Sequence, residues 1–255
     1  MNRLARFAAI VICFAVFGAS ALALTLLVFP LSSLLPGGPS ARRARARVLI
    51  GRSMRGFIRL VRVLGVLTCE VCGAERLGRP GQLIVANHPT LVDGVFLIAV
   101  APSSSCIVKD ALIRNPFTRG PVAAAGYVSN SPTDRMIEEA ADALRAGQSV
   151  IIFPEGTRTV PGGLLTFHRG AAAIALRAAA VVTPVYIRCS PPTLAKSDPW
   201  YRVPARRVRF SLAVGADIDP EPFRRSAPAP IASRELNAHL LRAFTTELTP
   251  MGRND

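Results

Sequence analysis

The sequence predicts an α/β protein: a mixed, largely parallel sheet flanked by helices, behind an N-terminal membrane-anchoring helical segment. Three observations carry that prediction. Apolar runs at 83–86 (Leu-Ile-Val-Ala) and 149–153 (Ser-Val-Ile-Ile-Phe) read as buried strands, each delivering polar residues at its end. Helical patterns at 132–147 and 170–180 alternate with such runs. Residues 7–29 form a stretch of 23 positions without a charge. The 255 residues therefore divide into an anchor and basic helix at 1–66 and an α/β domain at 67–255.

At about 1.5 Å per residue the uncharged stretch reaches roughly 34 Å, enough to cross a hydrocarbon core of about 30 Å. Arg3 and Arg6 before it, with Ala19-Ser20-Ala21 inside it, also suit a secretory signal, but the apolar run continues past that site. An uncleaved anchor, ended by Pro30 and the loop 35–39, is the expectation. The formal net charge is +15, and its distribution is uneven. No Asp or Glu precedes Glu70, while Arg42, Arg43, Arg45, Arg47, Arg52, Arg55, Arg59 and Arg62 crowd the residues after the apolar stretch. By the positive-inside tendency this puts the body of the chain on the cytoplasmic face of the cytoplasmic membrane.

Residues 41–65 carry Ile50, Met54, Phe57, Val61 and Leu64 at helical spacing, with Arg52, Arg55, Arg59 and Arg62 on another face. That pattern suits a helix lying on an anionic membrane surface, or a core helix with a solvated face. Nucleic acid is not expected as a partner, because aromatic residues total 6% and none interleave with the arginines. Next, 67–72 alternates like a strand. Cys69 and Cys72 within it lack the second pair or nearby histidine that a zinc site needs, and five scattered cysteines fit a reducing compartment. Further strands are expected at 181–187 and 208–214, a terminal helix at 231–248, and loops at 191–192 and 220–230.

The chemistry concentrates at two strand ends. After the first comes Asn87-His88-Pro89-Thr90-Leu91-Val92-Asp93, holding one of three histidines in the chain. An imidazole takes a proton near neutral pH, and a carboxylate fixes its tautomer. Five residues turn a helix through roughly 140°, so one continuous helix does not bring His88 and Asp93 together. Pro89 suggests instead that His88 precedes a helix and Asp93 lies one turn inside it. After the second strand come Pro154-Glu155-Gly156-Thr157-Arg158: a glycine permitting close backbone approach, a hydroxyl, and a guanidinium fork suited to phosphate.

In order and character these stretches resemble the glycerolipid acyltransferase family over about 67–190. The family's His and Asp separated by four residues match His88 and Asp93; its Phe-Pro-Glu-Gly-Thr-Arg is complete from Phe153 to Arg158; and Val182-Thr183-Pro184-Val185 is similar to its fourth motif. Val108-Lys109 and Phe167-His168-Arg169-Gly170 are likewise similar to family segments. The resemblance implies His88 and Asp93 as catalytic residues, and Glu155, Gly156, Thr157, Arg158 and Arg169 as substrate-binding residues. It implies transfer of a fatty acyl group from acyl-CoA or acyl carrier protein to a lysophospholipid, foremost 1-acylglycerol-3-phosphate giving phosphatidic acid. Membrane lipids and the acyl donor are the partners it implies, with no cofactor beyond that donor and no metal. One position departs: Asn130, ending Gly126-Tyr127-Val128-Ser129-Asn130, stands where the family has an arginine associated with the acceptor's phosphate. That leaves room for the same chemistry on an amino-acid-containing or other specialised lipid. A non-catalytic module binding lipid or acyl carrier is a further alternative.

Overall fold

A computed structural model describes residues 3–160, 162–196 and 198–249. The chain opens with helix α1 (Arg3–Ala23), a π-helical turn (Leu24–Val28) and the short α2 (Phe29–Ser33), followed by the long α3 (Pro39–Val63). The α/β region comprises β1 (Leu67–Cys72), β2 (Gln82–Ala86), α4 (Asp93–Val100), β3 (Ser105–Val108), α5 (Asp110–Arg114), α6 (Arg119–Ala125) and β4 (Val128–Ser129). It continues through α7 (Thr133–Arg145), β5 (Val150–Ile152), α8 (Gly170–Ala178), β6 (Val181–Ser190), β7 (Val208–Val214), α9 (Glu221–Ser226) and α10 (Ala229–Leu248).

One seven-stranded sheet has the order β1-β7-β6-β2-β5-β3-β4. Every neighbouring pair is parallel except β6 with β7. The mixed, largely parallel sheet expected from the apolar runs is therefore present. Residues 83–86 of β2 and 150–152 of β5 are apolar at every position because both faces of the sheet are covered there. Leu83 and Val85 point into a core built with α7, α8 and α10, while Ile84 and Ala86 point into one built with α3, α4 and β7. At the centre of the first core, Phe244 is fully buried and makes edge contacts with Phe167 and Tyr186. Such aromatic pairs contribute beyond their buried area.

Two sequence expectations shift. The segment 220–230 contains α9 rather than loop alone, Pro222 sitting in its first turn where a missing N–H costs nothing. The N-terminal helix runs past Pro30 to Ser33, because that proline likewise falls in the first turn of α2, after the π-helical turn.

Helices Arg3–Ser33 are together long and apolar enough to cross a membrane. Both ends are nonetheless tied to the α/β region. Near the start, Arg6 donates to the carbonyls of Pro204 and Ala205 at 2.8 and 2.7 Å, and Phe14 meets Trp200 edge-on. Near the other end, Thr25 packs on Gly120, where an added Cβ would stand 2.2 Å from its Oγ1. Overpacking of this kind costs about 1–3 kcal/mol. Gly120→Ala is expected to loosen the π-helical turn from α6, seen as a lower Tm and faster proteolysis within 20–35. The opposite face of the helix leaves Leu4, Ile12, Leu26, Leu27 and Leu31 exposed.

Candidate active site

The parallel strands β2, β5, β3 and β4 end on the same edge of the sheet, the usual location for ligands in such sheets. Residues 87–93 follow β2, and residues 153–159 follow its neighbour β5. Asn87 fixes the exit of β2: its side chain donates to the Ile187 carbonyl and accepts from the Ile187 N–H, both at 2.8 Å. The chain then turns through 88–92 without helix, and α4 begins at Asp93 itself. Asp93 is thus the first helical residue, not one turn inside. The non-helical turn is what brings the two side chains together.

His88 Nδ1 lies 2.8 Å from Asp93 Oδ2. The imidazole is 20% exposed and the carboxylate fully buried, so the pair faces solvent through the histidine alone. Asp93 is held from behind by Thr90, whose N–H donates to Oδ2 at 2.7 Å and whose hydroxyl donates to Oδ1 at 2.6 Å. Burial pushes the Asp93 carboxyl above its ordinary range, and the bonds from His88 and Thr90 pull in the opposite direction. Phe153 stacks on the imidazole with ring centroids 4.4 Å apart. An imidazole with Nδ1 on a carboxylate presents Nε2 outward as a base.

Glu155 supports this histidine from beneath. Its Oε1 accepts from the His88 N–H and from the Thr159 hydroxyl, both at 2.8 Å, and the Thr159 N–H donates to the His88 carbonyl at 2.7 Å. Both backbone groups of His88 are therefore held by the 155–159 turn. Burial raises the Glu155 carboxyl above its usual range, and those hydrogen bonds offset part of the shift. Truncation to Glu155→Ala leaves the partly buried His88 N–H without its acceptor, costing about 1 kcal/mol, the lower end of the range for an unpaired donor. Glu155→Gln keeps an acceptor oxygen. The expected result is a clear fall in Tm for alanine and a small one for glutamine, by calorimetry.

The remaining residues expected at the site are placed less uniformly. Gly156 is exposed with φ +63°, and a Cβ there would stand 3.1 Å from His168 Cδ2, so the histidine of the 167–170 turn lies directly against this glycine. Thr157 is partly buried beside it, and Arg169 is exposed at the start of α8. Arg158 turns to the 194–196 segment, donating to the carbonyls of Leu194 (2.8 Å), Ala195 (2.7 Å) and Lys196 (3.4 Å). Asn130 accepts from the Asp110 N–H at 3.1 Å, capping the start of α5. Sequence reasoning missed Thr90, Phe153 and Thr159 as supports. The signal for Thr90 was available in its Thr-x-x-Asp spacing to Asp93, a pattern in which hydroxyl and carboxylate satisfy each other's backbone at a helix start.

A family model described as Acyltransferase matches residues 68–188. The chain is 29% identical over 149 residues to a 1-acyl-sn-glycerol-3-phosphate acyltransferase of Pseudomonas aeruginosa, covering 56% of this chain and 58% of that protein. It is 35% identical over 133 residues to a lyso-ornithine lipid O-acyltransferase of the same organism, covering 50% and 51%. The chain thus spans little more than half the length of these curated relatives. The crystal structure of a 1-acyl-sn-glycerophosphate acyltransferase from Thermotoga maritima has the same fold, with a TM-score of 0.74 over 99% of this chain and 100% of that one at 20% identity.

Proposed function

We propose, from the match of residues 68–188 to the acyltransferase family model, that the chain is a membrane-bound O-acyltransferase. It moves a fatty acyl group from a thioester, acyl-CoA or acyl carrier protein, to the free hydroxyl of 1-acylglycerol-3-phosphate, giving phosphatidic acid. The observation that carries this reading is the 2.8 Å contact between His88 Nδ1 and the buried Asp93, which aims the imidazole out of the strand edge.

His88 Nε2 takes the acceptor's hydroxyl proton as its oxygen attacks the thioester carbonyl. Asp93 stabilises the imidazolium so formed. The tetrahedral intermediate then collapses, the C–S bond breaks, and the thiolate recovers the proton from His88. No cofactor beyond the donor enters the scheme. The exposed apolar face of α1 and the exposed arginines Arg52, Arg55 and Arg59 on α3 support a position at the cytoplasmic membrane with the site on the cytoplasmic side. There the enzyme meets acceptors whose chains would otherwise cost about 0.8 kcal/mol per CH₂ to bring through water.

A second acceptor has an observation in its favour. Asn130 is a neutral helix cap, and a relative at 35% identity is named for a lyso-ornithine lipid. The test is acyl transfer by membranes carrying the protein, with labelled acyl-CoA and acyl carrier protein offered against lysophosphatidic acid and an amino-acid-containing lysolipid. Product from lysophosphatidic acid supports the first reading, and product from the amino-acid lipid alone supports the second. No product with either refutes both.

A further inference from the structure

Resting on the acyl-transfer reading above, we infer that Arg158 is a positioning residue that acts through a backbone strap. Its guanidinium is already shared among three carbonyls of one short segment, Leu194, Ala195 and Lys196, at 2.8, 2.7 and 3.4 Å. That segment is tied to the catalytic turn. The Leu194 carbonyl also accepts from the Leu91 N–H at 3.1 Å, and Leu91 lies between His88 and Asp93. Leu194 has φ +53°, a left-handed conformation in which an L side chain is disfavoured and which persists only where its surroundings enforce it.

The connections form a closed circuit. Residues 155–159 hold the backbone of His88 through Glu155 and Thr159, while Arg158 from the same turn reaches past it to the strap that holds Leu91. The His88–Asp93 turn is therefore gripped on both sides by one five-residue segment. A planar fork suits this task because its N–H groups diverge in one plane toward several carbonyls at once, whereas a lysine ammonium offers three donors around a single point. Of its five N–H groups, both on Nη1 and one on Nη2 are engaged in this way.

The positioning role separates experimentally from acceptor binding. Full-length Arg158→Ala and Arg158→Lys in lipid nanodiscs are compared with wild type by steady-state kinetics on lysophosphatidic acid and on an acceptor without phosphate, and by hydrogen exchange at the Leu91 amide. The expected result is a kcat loss approaching roughly 10²-fold, the scale for a 1 Å displacement of catalytic groups. It falls equally on both acceptors with KM nearly constant, Leu91 exchanges faster, and lysine does not rescue. Overturning results are a KM increase confined to the phosphate acceptor, rescue by lysine, or unchanged exchange at Leu91. The exchange measurement needs no turnover, so wild-type protein that transfers no acyl group refutes the proposed activity while the strap is still decided.

Discussion

Replacing His88 with alanine is expected to reduce acyl transfer by roughly 10² to 10⁴, the contribution of a positioned general base. At about 1.36 kcal/mol per decade this amounts to about 3–5 kcal/mol of transition-state stabilisation. The fold should survive. His88 is held to the 155–159 turn through its backbone N–H and carbonyl, which alanine retains, and its ring is partly exposed. What changes is Asp93, which keeps its two bonds from Thr90 but loses the imidazole. The measurement is turnover in membranes beside circular dichroism of the purified variant. Wild-type rates from a folded His88→Ala protein would remove the base from the scheme.

Asp93→Asn is expected to lose activity by a comparable factor, for a reason the hydrogen bonds make specific. Oδ2 faces two donors, the Thr90 N–H and His88 Nδ1, whereas Oδ1 faces only the Thr90 hydroxyl. A hydroxyl can reverse from donor to acceptor, and a backbone N–H cannot. Asparagine therefore settles with its oxygen toward Thr90 N–H and His88 and its amide nitrogen toward the Thr90 hydroxyl. The imidazole keeps its tautomer and orientation, and the loss comes from the missing negative charge opposite the imidazolium. The deficit belongs near the lower end of the 10² to 10⁴ range, since a wrong tautomer in a comparable triad costs about 10⁴.

Stability should move the other way. Burial raises the folded-state pKa of Asp93 above that of the unfolded chain, so the folded protein binds this proton more tightly. Ionised Asp93 thus costs stability above its folded pKa, and the cost is relieved as pH falls toward the unfolded value. Asparagine removes the ionisation altogether, so Tm at neutral pH should be no lower than wild type while turnover falls. A Tm that falls along with activity would mean that the site tolerates no neutral side chain here.

Much of this architecture was legible in the residues. The runs at 83–86 and 150–153 are apolar at every position because each strand lies between two others with both faces covered, and β1, β6 and β7 appear at or near their expected positions. The short outer elements were harder. β4 has two residues and α5 and α6 five and seven, too few for a period of 3.6 or 2 to emerge. At the site, His88 and Asp93 could be named from their chemistry, but their meeting depends on a turn that stays non-helical until Asp93. Arg158 and Glu155 show the limit most clearly. A fork and a carboxylate beside a glycine suit a ligand, and only the fold reveals that both reach backbone groups of other segments, the Leu194 carbonyl being 36 residues away in the case of Arg158.

On the membrane-bound reading, the attachment of the N-terminal helical run through both Arg6 and Thr25 has a kinetic meaning. An enzyme joined to its membrane by a flexible linker searches orientations, and its site meets the surface only for a fraction of the time set by the linker's length. Here Arg6 is fastened to the 204–205 carbonyls and Thr25 is seated on Gly120, with Cys13 between them buried in the same core as Ile84 and Phe96. The apolar helix is consequently packed against the domain that carries the histidine. On the membrane-bound reading proposed above, insertion of the helix face into lipid would set the height and tilt of His88 in the same event, so the orientational entropy of presenting the site would be lost once, on binding the bilayer, and not again at each turnover.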